Sequence, residues 1–579
     1  MRRLFRFLHG YEKHLILGPL FKLVEAVFEL LVPLVVADMI DRGVRGGAGT
    51  GYLLRQGGLL AALAACGLAF ALIAQYFAAQ AQQGVGTALR RALFAHIGTL
   101  SHRELDAIGT PSLVTRMTQD INALQNAVAM FIRLVVRAPF LVIGAVVMSF
   151  IIDPKSALIL VCIAPVIALV IYLIMSRSVP YYKRMQSATD RVSAKAREGL
   201  SGARVMRAFA REEDARAGFR EASGEVADIA VRVGRLSALL NPLCSALMNA
   251  GIFFVILLAS YRVDRGDLLQ GEVIALVNYM TQVMLALVVV SNLVVIFTRA
   301  FASAKRVNEV FEMTSSVPDE GTLDATAAQG DAALSFCDVS FSYTNGGEDE
   351  LSHIDLTIPA GQTVAFIGGT GSGKSTLMSL IPRFYPVERG ELRFFGRPIR
   401  EYTLESLRRS IGFVFQDCSL LSGTIASNMR MSAPDATDEE IEEALQLARA
   451  WSFVSALPDG IESRVERGGK NFSGGQKQRL TIARALVRHP RILILDDSTS
   501  ALDAETDYAL RMGLRGLRDT TVLLVSQRAA AVKNADRIVV MDNGRIIGQG
   551  SHEVLLRDCP VYAEICRSQN LGEEGSIGA

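Results

Sequence analysis

Residues 364–377 read VAFIGGTGSGKSTL: an apolar run, a glycine-rich loop and the opening of a helix. Gly368, Gly373, Lys374 and Ser375 satisfy the G-x-x-x-x-G-K-[ST] spacing. The loop residues Gly369, Thr370, Gly371 and Ser372 lie between them. The glycines allow successive peptide N–H groups to turn toward one anion. The helix that begins near Thr376 adds the positive end of its dipole. Lys374 is placed to reach β- and γ-phosphates, and the Ser375 hydroxyl to ligate Mg²⁺. The expected ligand is a nucleotide with magnesium.

Two further stretches downstream belong with that loop. RILILDD, residues 491–497, is a buried strand that runs into paired aspartates, and Asp496 at its end is expected to hold Mg²⁺ through water. NFSGGQKQRLTIARAL, residues 471–486, sets a Ser-Gly-Gly turn at a helix start. Ser473, Gly474, Gly475 and Gln476 form a donor cluster suited to phosphate, although a plain helix cap has the same pattern.

The chain around these motifs has 579 residues, too many for one core, and half of it is hydrophobic with a mean hydropathy of +0.30. A formal charge of +2 gives no sign of a nucleic-acid partner. Seven cysteines show neither CxxC nor metal spacing and read as reduced thiols. Six stretches reach the roughly 20 apolar residues needed to cross a bilayer: 15–40, 56–80, 129–152, 156–176, 236–260 and 273–298. The connections after the second and fourth are long, polar and helical in period, so those helices should continue beyond the membrane. The basic start, MRRLFRFLHGYEKH, has no small-residue cleavage site nearby, so the first apolar run should stay as an anchor. The arginine-rich start and the long connection through GARVMRAFAREED place both on the cytoplasmic side. The composition shifts at about 305–330 to a small, polar, acidic linker. The expected domains are a six-helix membrane domain over 1–304 and an α/β nucleotide-binding domain of P-loop type over 331–579.

With its motifs in this order, the chain resembles an ATP-binding cassette (ABC) transporter half of the exporter type. GGTGSGKS matches the Walker A loop, FSGGQ the signature, LILDD the Walker B strand and SALD (500–503) the D-loop. The resemblance implies that Tyr343 in FSY stacks on adenine and that Gln416 in FVFQD touches Mg²⁺ and senses the γ-phosphate. It implies nucleotide domains that pair head to tail, each ATP lying between one chain's Walker A loop and the other's signature. Coupling helices are expected near 105–115 and 198–209.

Two positions depart from the family pattern. Glutamate usually follows the Walker B aspartate and polarises the attacking water, but here the residue is Asp497. A histidine usually contacts the γ-phosphate about thirty residues on, but LLVSQR places Gln527 there. The binding groups are intact and the hydrolytic groups altered, while the signature is whole. The resemblance therefore implies one subunit of a heterodimer, in which a second half-transporter carries the faster site. A slow homodimer, a regulatory ATP-binding subunit and an importer on the same fold are the other readings.

Charges inside the apolar spans suggest what is carried, because charge is costly there. Lys22, Glu25 and Glu29 share one face of the first span, and Arg133 and Arg137 lie in the third. They either pair with one another near the inner boundary or leave Glu25 or Glu29 facing a cavity for cationic, amphipathic substrates. Asn241, Asn249, Asn278, Tyr279 and Gln282 are further candidates for that cavity. Drug, lipid and peptide substrates all fit, and a bacterial plasma membrane with a cytoplasmic nucleotide domain is the expected location.

Overall fold

The computed structural model describes residue 4 and residues 6–344 and 347–569, and the chain divides into two compact units. The first holds residues 1–98 and 110–313, and the second holds 99–109 and 314–579. In chain order the first helices are α1 (Glu12–Asp38), α2 (Thr50–Ile97), α3 (His102–Ile108) and α4 (Thr110–Ile152). They are followed by α5 (Pro154–Ser201), α6 (Ala203–Ala208), α7 (Glu212–Asp264) and α8 (Gln270–Glu312). Among the described helices, α2, α4, α5, α7 and α8 are long and apolar enough to cross a membrane. Helix α1 has the length, 27 residues, but its apolar stretch carries three charges, Lys22, Glu25 and Glu29. The first unit is thus a polytopic helical membrane domain.

Local chemistry explains where these helices stop. Asp153 ends α4 and caps α5, its carboxylate accepting the Ser156 N–H at 2.9 Å, and Pro154 occupies the first turn where a missing N–H costs nothing. Asp153 also pairs with Arg262 at the far end of α7, which fixes that short connection. In α7, Pro242 lacks the N–H that would bond the Ala238 carbonyl, and the regular helix is interrupted at Leu239. Helix α4 contains π-helical turns at Arg116–Asp120 and Phe131–Val135. Asp120 on the first of these is buried and accepts from Ser303 Oγ and Arg306 Nε, both at 2.9 Å, which ties α4 to α8.

The long connections are helical extensions. Helix α2 runs on to Ile97, α5 to Ser201, and α7 begins at Glu212. The stretches expected as coupling helices are helical. Over 105–115, Gly109, at φ 78°, ends α3 at Ile108, and α4 opens at Thr110. The second, α6, lies at 203–208 after Gly202. Helix α8 continues through 305–312, into the stretch expected as linker, because Val307, Val310 and Phe311 extend its buried stripe.

The second unit is an α/β domain. Its strands are β1 (Ala332–Phe341), β2 (Leu351–Pro359), β3 (Thr363–Ile367), β4 (Arg389–Phe394) and β5 (Arg397–Pro398). They continue with β6 (Ile411–Val414), the ribbon β7 (Gly423–Thr424) with β8 (Arg464–Val465), and β9 (Ile492–Asp496). The last are β10 (Thr521–Val525), β11 (Arg537–Asp542) and β12 (Arg545–Gly550). A six-stranded sheet has the order β12-β11-β3-β10-β9-β6, parallel except at β12, and an antiparallel sheet has the order β2-β1-β4-β5. Strand β9 is buried on both faces, as its unbroken apolar run requires. Ile492 and Ile494 face the core shared with the antiparallel sheet, and Leu493 and Leu495 face the helical core.

Candidate functional site

Strands β3, β10, β9 and β6 are neighbours in one parallel sheet, so the segments that leave their C-terminal ends converge at one edge. Ligands of such sheets bind there. The converging segments carry the glycine loop after β3, Gln527 after β10, Asp496 and Asp497 at the end of β9, and Gln416 after β6. A cleft of about 200 Å³ at that edge is lined by Thr370, Gly371, Ser372, Gly373, Lys374, Ser375 and Thr376 on one side. Gln416, Asp496, Asp497 and Gln527 line the other, with Glu350 at the border. Gly368 and Gly369 complete the loop behind Lys374.

The loop is built by glycine conformations and by the helix α9 (Lys374–Leu380) that follows it. Gly371 and Gly373 have φ of 80° and 92°, and a Cβ on Gly373 would lie 2.7 Å from Leu351 and 3.1 Å from the Glu350 carbonyl. Lys374 is buried and folded over the loop. Its Nζ donates to the Gly368 carbonyl at 2.9 Å, the Gly369 carbonyl at 2.7 Å and Ser372 Oγ at 2.9 Å. Burial pulls its pKa down, and Asp496 and Asp497 oppose that shift. The ammonium is thus held close to where phosphate oxygens would replace the carbonyls.

Ser375 Oγ donates to Asp496 Oδ1 at 2.9 Å. Burial pushes the Asp496 carboxyl up, and the neighbouring Asp497 charge adds to this. A hydroxyl, a carboxylate and the Gln416 amide are hard oxygen donors of the kind Mg²⁺ takes alongside phosphate and water. Two adjacent desolvated carboxylates also favour a cation, so the donor set fits magnesium. Asp497 itself has φ 46°, a left-handed conformation. Its N–H donates to the Val525 carbonyl and its carbonyl accepts from Ser500 Oγ, both at 3.0 Å. Aspartate is among the side chains that best tolerate this region. Burial raises its carboxyl as well, opposed by Lys374 and Arg528.

Tyr343 lies beside the cleft. Its hydroxyl is 3.0 Å from Thr376 Oγ1, and its ring stands edge-on to Phe341 and Tyr385, with centroids 5.0 and 5.1 Å away. Part of the ring face is exposed, at 39%, as a platform for a base requires. Tyr385 was not singled out in the sequence. Its hydroxyl donates to Asp106 on α3 at 2.5 Å, so α3 reaches the aromatic group around Tyr343.

Ser473 caps helix α10 (Gly474–Leu486). Its Oγ accepts the Gln476 N–H at 3.3 Å, and Gln476 Oε1 accepts the Ser473 N–H at 2.9 Å. The cap reading of this turn is therefore met, with its donors outside the cleft described above. Gly474 and Gly475 lie against Ala501 of the D-loop, where a Cβ on Gly475 would lie 3.1 Å from the Ala501 carbonyl. Gln478, also unforeseen, accepts the Ala501 N–H at 3.0 Å and ties signature to D-loop. Phe472 is buried and packs on Phe453, so it fills the place of a leucine.

In the membrane unit, Glu25, Glu29 and Arg137 line a second cleft, about 360 Å³, with Phe28, Val32 and Leu68 among its apolar walls. Glu25 is paired with Lys22 at 2.5 Å and Glu29 with Arg137 at 2.6 Å. Mutual pairing is thus the arrangement present. Asn278 is exposed, donates to the Ile274 carbonyl at 3.0 Å and is not among the residues lining that cleft, and Asn241 and Asn249 are exposed too. Tyr279, expected as a cavity residue, is fully buried instead, and its hydroxyl donates to the Leu30 carbonyl at 2.6 Å.

Comparison with known proteins agrees with this geometry. Residues 15–287 match the ABC transporter transmembrane region, and residues 351–500 match the ABC transporter domain. An ABC transporter ATP-binding protein of Mycobacterium tuberculosis is 36% identical over 98% of both chains. An ATP-dependent lipid A-core flippase of Hahella chejuensis is 34% identical over 85% of this chain and 84% of its own. A bacterial Atm1-family ABC exporter solved with ATP bound shares the fold, with a TM-score of 0.81 at 24% identity over 97% of this chain and 99% of that one. The chain belongs to the ABC transporter family, with a membrane region of exporter type fused to an ATP-hydrolysing nucleotide domain.

Proposed function

We propose that this chain is the degenerate-site subunit of a heterodimeric ABC exporter. The observation that carries the proposal is the cleft itself. The glycine loop, Lys374, Ser375, Gln416 and Asp496 line it, while the two residues in the hydrolytic positions are Asp497 and Gln527. Tyr343 holds the base. Residues 368–376 and Lys374 hold the phosphates. Ser375, Gln416 and Asp496 hold Mg²⁺, which neutralises charge on the β- and γ-phosphates.

The residues that act on water are weaker. A group that orients or deprotonates water must come within about 2.6–3.2 Å of it. An aspartate in place of glutamate draws the carboxylate back by about 1 Å, and misplacement on that scale costs about 10²-fold. Gln527 donates a hydrogen bond to the γ-phosphate but carries no positive charge. ATP at this site is therefore held and slowly hydrolysed. Ser473, Gly474, Gly475 and Gln476, whose donors lie outside the chain's own cleft, serve the ATP of the partner half-transporter. Hydrolysis at the partner's site resets the cycle.

The exporter sits in a bacterial plasma membrane with its nucleotide domain cytoplasmic, and it moves a hydrophobic or amphipathic substrate. The similarity to a lipid A-core flippase favours a lipid-like molecule. The cleft at Glu25, Glu29 and Arg137 joins apolar walls to ion pairs and suits an amphiphile with a charged head. The test is to purify the chain alone and with a co-encoded half-transporter, and to measure oligomeric mass and MgATP hydrolysis. Activity confined to a one-to-one complex supports the proposal. A homodimer with strong, substrate-stimulated hydrolysis refutes it.

A further inference from the structure

Gln527 opens a segment that has little to hold it in place. The sequence after it is Arg-Ala-Ala-Ala-Val, whose short helix, α11 (Ala529–Val532), spans four residues. Three alanines supply no polar side chain to anchor the turn. The backbone is held instead by side chains from elsewhere. Arg511, on the helix after the D-loop, donates to the Ala530 carbonyl at 3.1 Å and the Ala531 carbonyl at 2.9 Å. Gln569, just beyond the C-terminal helix Pro560–Ser568, makes two bonds at the other end. Its Nε2 donates to the Gln527 carbonyl at 2.8 Å, and its Oε1 accepts the Ala529 N–H at 2.8 Å.

A primary amide donates and accepts in the same plane. Here it binds the carbonyl of residue 527 and the N–H of residue 529 together, and with Ser526 Oγ, which accepts the Arg528 N–H at 3.1 Å, it fixes the peptide orientation on both sides of Arg528. That orientation sets the direction in which the Gln527 side chain leaves the backbone, toward the cleft it lines. Removing the amide frees the carbonyl of exposed Gln527, which water can take over, and leaves the N–H of buried Ala529 without its acceptor. The expected loss is thus one of aim together with a modest loss of stability.

We infer that Gln569 is a positioning residue for Gln527, a clamp through which the C-terminal helix sets the γ-phosphate-sensing segment. The inference rests on the proposed contact of Gln527 with the γ-phosphate. The test uses the full chain in detergent with Mg²⁺ in the cold, measuring ATP and ADP affinity by displacement of a fluorescent nucleotide. Gln569→Ala is expected to lower the ATP-to-ADP affinity ratio by roughly fivefold, the scale of one neutral hydrogen bond, with ADP affinity unchanged and the melting temperature modestly lowered. Gln569→Glu keeps the acceptor for Ala529 and loses the donor to Gln527, and should lose part of the ratio. Combined with Gln527→Ala, the Gln569→Ala change should have no further effect. If Gln527→Ala lowers the ratio and Gln569→Ala does not, the clamp is refuted and the γ-phosphate contact stands. An additive loss in the double variant also refutes the clamp. If Gln527→Ala leaves the ratio unchanged, the γ-phosphate contact fails and the clamp falls with it.

Discussion

Restoring glutamate at Asp497 and histidine at Gln527 should convert the retained ATP into a turned-over one. The binding half of the site is already in place, with Ser375 Oγ 2.9 Å from Asp496 and Lys374 folded onto the loop. What changes is the reach of one carboxylate. The backbone at 497 is fixed by bonds of 3.0 Å to Val525 and Ser500, so an added methylene advances the carboxylate rather than moving the chain. About 1 Å of advance corresponds to about 10²-fold in rate, or roughly 2.7 kcal/mol of barrier. One opposing effect is built into the site. At φ 46° aspartate is better tolerated than glutamate, so part of that gain is lost to backbone strain. The expected gain is on the order of 10–100-fold. The assay is single-turnover hydrolysis in the complex, with the partner's own site inactivated so that only this ATP is read. ATP affinity is measured in parallel. Unchanged turnover with intact ATP binding would refute the reasoning, because the reach of residue 497 and the charge at 527 would then not limit the step.

Three other outcomes follow from the same structure. Burial raises the Asp496 carboxyl above its ordinary value of 3.8, so the native state keeps a proton that the unfolded chain releases. Stability without magnesium should therefore fall as pH rises through the ordinary aspartate range and stay low at neutral pH. Asp496→Asn should raise the melting temperature of the metal-free protein at pH 7, with the difference shrinking toward pH 4; a lower melting temperature at pH 7 would contradict this. Lys374→Ala removes a charge-assisted contact worth about 1.5–3 kcal/mol, so ATP should bind roughly 10–150-fold more weakly in a fluorescent-nucleotide titration. In the membrane cleft, replacing both Glu25 and Glu29 by glutamine should shift the dose at which cationic amphiphiles stimulate hydrolysis by the complex. An identical dose-response would remove those carboxylates from substrate recognition.

Much of this molecule is legible along the chain because the physics that shapes it is local. A glycine loop between a strand and a helix needs only its own backbone conformations, and residues 368–376 form it. Strand β9 shows its burial on both faces through an unbroken apolar run. The long helices follow from hydropathy, except where three charges obscure α1. The Lys22–Glu25 pair is three residues apart and readable as helical spacing.

Other features depend on contacts between residues far apart in the chain. The strand order β11-β3-β10-β9-β6 brings Gln416, Asp496 and Gln527 to one cleft, and side-chain periodicity within single strands does not encode which strands are neighbours. Arg137 pairs with Glu29 across 108 positions, which turns a candidate free carboxylate into half of an ion pair. Tyr279 carries a polar group that suggested a cavity, yet it is buried, and its hydroxyl donates to the Leu30 carbonyl of α1. Helix α3 lies between two membrane helices in sequence, but Tyr385–Asp106 and its other bonds join it to the nucleotide domain. Gln569 lies 42 positions beyond the residue it holds. The sequence by itself determined the ligand class and the elements that carry it, because backbone conformation and burial period are properties of neighbouring residues. Only the tertiary structure decided which distant side chains share a site, because those contacts follow from sheet order and helix packing.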